Sequence, residues 1–155
     1  MTLYAVVLWF YSAMASLVFG ATVYETLVVH PAWSRKPPES FESFMGTPVG
    51  RLNLPAFWIP VAPLFALSGL AAVAVAAMQG KPNLTLIASA FCAVTTVAWT
   101  LLYFRPTITR LLEQQGGNAP AEQMQAEARQ WIALNWIRAA LVAVSWFGVI
   151  AAFHS

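Results

Sequence analysis

The chain has 155 residues, 59% of them hydrophobic and only 9% charged, with a formal net charge of +2 and a mean hydropathy of +0.65. Soluble domains carry about 25% charged residues, so this composition predicts an all-α integral membrane protein and excludes a water-soluble enzyme. The small, dispersed positive charge argues against nucleic-acid binding, and a single cysteine, Cys92, excludes an internal disulfide framework or a CxxC site.

Four apolar segments reach the length of about 20 residues that a bilayer span needs, which predicts a four-transmembrane-helix bundle forming a single membrane domain over residues 1–155. The first span runs from about Leu3 to Val29. No basic region precedes it, so it is expected to be retained as a helix and not cleaved as a signal peptide. Pro31 is expected to stop it, because the residue before a proline disfavours the helical conformation. Ser12, Ser16 and Gly20 recur at helical spacing and predict a smooth stripe for close helix packing.

The connector over residues 31–53 carries Arg35, Lys36, Glu39, Glu42 and Arg51 among prolines and glycines. Its apolar Phe41, Phe44 and Met45 suit either a short lid over the mouth of the bundle or a lipid-facing loop. The second span, about Leu54 to Met78, has Pro55, Pro60 and Pro63 crowded into its first half, a kinked end compatible with a cavity. A turn over 79–83 leads into the third span, about Leu84 to Phe104, where Cys92 reads as a small buried hydrophobe. The third connector covers residues 105–130. Within it, 114–120 reads as a loop and Pro120 opens a helix that runs directly into the fourth span, about Trp131 to Phe153.

Arg35, Lys36, Arg51, Arg105, Arg110 and Arg129 lie in the first and third connectors, against Lys81 alone on the other side. That asymmetry predicts these connectors on the cytoplasmic face of the membrane, with both termini outside. Trp33 and Trp131 are then expected as interfacial anchors.

This topology gathers the polar residues of the spans at one end. Glu25, His30, Tyr103, Arg105, Asn135 and Arg138 all fall there, with Tyr24, Trp131 and Trp136 as aromatic walls. An ionisable side chain at membrane depth costs roughly 2.5–3.5 kcal/mol on insertion scales, so Glu25 and Arg138 each need a partner or a cavity. Two readings of the pair stay open. It is either a structural ion pair fixing helix register in a non-catalytic binding or scaffold protein, or a catalytic site in which Glu25 or His30 is a base and Arg138 with Asn135 stabilises an oxyanion. Glu25 and His30 lie five residues apart, about 140° around an α-helix, so they converge only if the helix departs from α geometry. His30 alone reads as an interfacial histidine. No Glu-x-x-His pair or nucleophile elbow is present, and no metal ligand set is expected.

The proline closing the first span, the Phe104-Arg105-Pro106-Thr107-Ile108-Thr109-Arg110-Leu111 stretch closing the third, and Trp131-x-x-x-Asn135-x-x-Arg138 opening the fourth resemble the anthrone oxygenase-like family of small four-helix membrane proteins. The resemblance covers nearly the whole chain in layout. It implies oxidation of an anthrone- or quinone-like aromatic with O2, without metal or flavin cofactor, and carries Pro31, Pro106, Trp131, Asn135 and Arg138 over as positions at the site end. The family often has Asn where this chain has Ile108, and the Tyr24-Glu25 to His30-Pro31 signature resembles a bacterial branch without an assigned reaction. The expected partners are a flat hydrophobic aromatic molecule and the lipid bilayer. The sequence leaves open whether the chain forms a homo-oligomer.

Overall fold

A computed structural model describes residues 2–36, 40, 54–81, 83–113 and 120–154. The expected lid residues Phe41, Phe44 and Met45, together with Arg51 and the 114–119 loop, lie outside the described residues. Within them the chain folds into four helices, each long and apolar enough to cross a membrane. It is an integral membrane protein.

Helix α1 consists of an α-helical Leu3–Tyr24, a π-helical turn Glu25–Val29 and a final α-helical turn His30–Ser34. Helix α2 is Leu54–Met78. Helix α3 repeats the plan of α1, with α-helical Leu84–Trp99, a π-helical turn Thr100–Phe104 and α-helical Arg105–Glu113. Helix α4 is Ala121–Ala151, ending in a 3-10 turn Ala152–His154. Each helix packs on its neighbours in chain order and α4 closes the ring on α1, an up-and-down bundle.

The boundaries have local causes. Thr2 caps α1 by accepting from the Ala5 N–H, and Asn83 caps α3 by accepting from the N–H groups of Thr85 and Leu86 at 2.9 and 3.1 Å. Helix α2 ends at Gly80, whose φ of 67° only glycine adopts without strain. There the N–H groups of Gly80 and Lys81 return to the carbonyls of Ala77 and Ala76, which satisfies the last turn. Pro120 caps α4, its carbonyl accepting from Gln123 and Met124.

Pro31 does not stop α1, contrary to the expectation from sequence, and Pro106 does not stop α3. In both helices the π turn sits directly ahead of the X-Pro step. The His30 N–H reaches the Glu25 carbonyl and the Arg105 N–H reaches the Thr100 carbonyl, bonds of the wider i→i−5 kind. The wider turn makes room for a proline ring that would otherwise meet the preceding carbonyls. Continuing the helix also keeps the remaining backbone groups bonded.

The middle of the bundle is closed by Tyr11 of α1, fully buried. Its hydroxyl lies 2.8 Å from Ser89 Oγ and 2.9 Å from Ser145 Oγ, and Ser89 donates to the Ser145 carbonyl at 2.6 Å, so one polar cluster ties α1, α3 and α4. The close approaches are made by Gly69 against the Tyr11 ring and by Gly148 against Ser89. The Ser12/Ser16/Gly20 stripe does not act as expected. Ser12 is buried, but Ser16 and Gly20 are exposed, and Ser16 instead accepts from the Trp146 indole at 2.9 Å. Cys92 is partly exposed rather than buried.

Candidate active site

The inward face of α4 is a ladder of Trp131, Asn135, Arg138, Val142, Ser145 and Val149, all buried, with alternating steps of four and three residues. Its first three rungs face the two π turns. A π turn widens the helix, so α1 buries Glu25, Thr26, Val29 and His30 together. The departure from α geometry that Glu25 and His30 needed is therefore present, and both address α4.

Glu25 is 7% exposed. Its Oε1 accepts a 2.6 Å hydrogen bond from the indole N–H of Trp58, on α2 just ahead of Pro60. The Arg138 guanidinium stands 3.8 Å from Oε2, inside ion-pair range and beyond a hydrogen bond. Arg138 donates instead to Thr100 Oγ1 at 3.2 Å and lies over the Phe104 ring at 4.9 Å, a cation–π contact. The carboxylate and the guanidinium are thus each held mainly by a third residue, while facing one another.

Below this pair lies a second polar group. Asn135, fully buried, places its amide nitrogen 3.0 Å from Thr26 Oγ1 and 3.1 Å from His30 Nδ1. Thr26 and Thr100 play matching parts. Each belongs to a π turn, each donates its hydroxyl to the carbonyl four residues back (Thr22 at 2.7 Å, Thr96 at 2.8 Å), and each then accepts from a side chain of α4. Among the described residues, two buried side-chain polar atoms have no hydrogen-bond partner, Asn135 Oδ1 and Arg138 Nε. Both belong to this site.

An aromatic box surrounds it. The Trp131 ring packs edge-on to His30, Trp33 and Phe104 at 4.8 to 5.3 Å, and its N–H donates to the Phe104 carbonyl at 3.1 Å. Trp33 and Trp131 are therefore core residues, 1% and 6% exposed, and not the interfacial anchors expected. Buried indoles find partners for their N–H groups, and the Trp131 N–H finds its partner inside the bundle, at the Phe104 carbonyl.

Other expectations need correcting. His30 is 3% exposed and bonded to Asn135, so it is not an interfacial histidine. Tyr24 and Trp136 are 59% and 53% exposed on the outer face, where lipid lies, and do not wall the site. Arg105 is exposed, and Tyr103 is half-buried against Phe104 at 5.2 Å. The sequence reading missed Trp58, Thr26, Thr100 and Phe104. Nothing in the sequence separates Trp58 and Phe104 from the other aromatics of the spans, except that Trp58 lies just before Pro60. Among the described residues no group of three or more His, Cys, Asp or Glu is placed to hold a metal.

The family model for anthrone oxygenase matches residues 56–148, well over half of the chain. The chain belongs to the anthrone oxygenase family. The match spans nearly all of α2, all of α3 and most of α4, and so includes Trp58, Thr100, Trp131, Asn135 and Arg138. Glu25, Thr26 and His30 precede it, on the helix that completes the site. Neither the curated proteins nor the solved structures give a match.

Proposed function

We propose that this anthrone oxygenase family member oxygenates a flat, hydrophobic aromatic ketone of the anthrone type without a bound cofactor, with Glu25 as base and Arg138 as oxyanion donor. The observation that carries this reading is the pairing of a buried carboxylate with a guanidinium whose Nε–H has no partner, held facing one another but not bonded tightly. A group needed only to neutralise a charge at this depth is better served by closing the last ångström.

An anthrone carries a doubly benzylic C–H opposite a conjugated ketone. Glu25 takes that proton. The developing enolate oxygen accepts from Arg138, whose position over Phe104 and bond to Thr100 are set before the substrate arrives. The electron-rich carbon then gives its electrons to O2, forming a C–O bond and, after protonation, a hydroperoxide. Removal of the remaining C–H proton with cleavage of the O–O bond leaves a second carbonyl and releases water. Per turnover, one anthrone and one O2 give one quinone and one water.

Of the other expected site residues, His30 and Asn135 are buried polar groups bonded to one another beside the pair, and Trp131 packs against the imidazole. Exposed Arg35, Lys36, Arg105, Arg110 and Arg129 support a site at the cytoplasmic end in a bacterial inner membrane, with the termini outside. The test is oxygen uptake by the purified protein in lipid nanodiscs with an anthrone as substrate. Turnover that disappears in Glu25→Gln and Arg138→Met supports the reading; equal turnover in both variants overturns it.

A further inference from the structure

The hydrogen bonds around Asn135 have a direction that can be worked out from donors alone. The Thr26 hydroxyl donates its single hydrogen to the Thr22 carbonyl at 2.7 Å, so toward Asn135 its oxygen can only accept. The atom of Asn135 facing it must therefore be the amide nitrogen, which fixes which way the amide is turned. That same nitrogen directs its second hydrogen at His30 Nδ1, 3.1 Å away. A ring nitrogen that accepts carries no proton, so the imidazole is neutral and its proton sits on Nε2. The orientation leaves Asn135 Oδ1 buried without a partner, an arrangement that flipping the amide would relieve only by breaking the bond to Thr26.

We infer that Thr26 and Asn135 are positioning residues that hold His30 as its neutral, Nε2-protonated form, making the imidazole a hydrogen-bond donor toward the oxygen of the bound aromatic. Asn135 had been read from sequence as an oxyanion donor beside Arg138. Both of its hydrogens are in use, so that role passes to the imidazole it orients. The Trp131 ring, edge-on to His30 at 4.8 Å, blocks free rotation of the imidazole and keeps the same nitrogen on Asn135. The tautomer rests on the hydrogen bonds alone; its use toward a substrate oxygen rests on the oxygenase reading above.

The experiment is nitrogen–proton correlation spectroscopy of the full chain labelled with 15N-histidine in nanodiscs, with His154→Gln leaving His30 as the sole imidazole signal. The expected result is one neutral form, protonated at Nε2. In Asn135→Asp the carboxylate draws the proton to Nδ1, whereas Thr26→Ser, which keeps the hydroxyl, leaves the wild-type pattern. A proton on Nδ1 in the wild type, or a pattern indifferent to Asn135→Asp, overturns the inference. On the functional side, Thr26→Val is expected to lower kcat by about tenfold, the worth of one misdirected hydrogen bond, with Thr26→Ser restoring it. Wild-type kcat in Thr26→Val alongside a displaced tautomer overturns the donor role. Absence of turnover on any anthrone, with the tautomer as described, defeats the oxygenase reading and leaves the positioning intact.

Discussion

Glu25 and Thr100 occupy equivalent places on diagonal helices: each opens a π-helical turn, each lies six residues ahead of a proline (Pro31 and Pro106), and each meets Arg138. The guanidinium is therefore suspended between two distorted turns instead of being paired with one carboxylate. π turns inserted in helices frequently occur at functional sites, and here two of them face one buried arginine.

The pair Glu25–Arg138 predicts an asymmetric response to mutation. Arg138→Met alone leaves a buried carboxylate with the Trp58 N–H as its remaining partner and should cost about 3–5 kcal/mol. Combining it with Glu25→Gln should recover most of that loss. Thermal unfolding of the single and double variants in one detergent checks this, and equal losses in both would contradict it.

Trp58→Phe keeps the ring and removes the N–H that donates to Glu25. A hydrogen bond to a charged group is worth about 1.5–3 kcal/mol, so the variant should be destabilised by that amount and should also lose turnover, since the base is no longer oriented. Kinetics on the folded fraction separate the two effects.

Gly148→Ala would place a methyl 2.8 Å from Ser89 Cβ. Overpacking of this kind costs about 1–3 kcal/mol, and it falls on the Tyr11–Ser89–Ser145 cluster that closes the middle of the bundle. Gly20 has open space around it, so Gly20→Ala should instead stabilise α1 by about 0.5–1 kcal/mol. Opposite shifts in melting temperature are expected from these two glycine substitutions.

Much of this architecture was legible before any coordinates. Four runs of apolar residues predict four spans, and Trp131, Asn135 and Arg138 fall on one face at steps of four and three. The site itself was legible only in part. Proline chemistry identifies Pro31 as a disturbance but not its outcome, because a helix can either stop at a proline or widen into a π turn that keeps its backbone groups bonded, as it does here. That same widening brings Glu25 and His30 to one face, which α-helical spacing alone forbids.

The aromatics were misassigned for a related reason. A tryptophan near a span end suits an interfacial belt as well as a core, and sequence alone does not say which way it turns. Trp33 and Trp131 turned inward, while Tyr24 and Trp136 face outward. The arginines sort by partner in the same way. Arg110 pairs with Glu127 at 2.9 Å on an exposed surface, a bond worth about 0.2–1 kcal/mol, whereas Arg138 lies buried at the site.

In the proposed reaction Glu25 removes the benzylic proton of an anthrone. The most direct measurement is deuterium exchange at that carbon in the absence of O2, with the protein in nanodiscs and deuterated buffer. Wild-type protein should accelerate exchange over buffer, and Glu25→Gln should reduce that acceleration by about 10²–10⁴-fold, the usual contribution of a positioned general base. Exchange in Glu25→Gln at the wild-type rate, with the variant folded, would contradict the claim and return Glu25 and Arg138 to the role of an ion pair holding helices together.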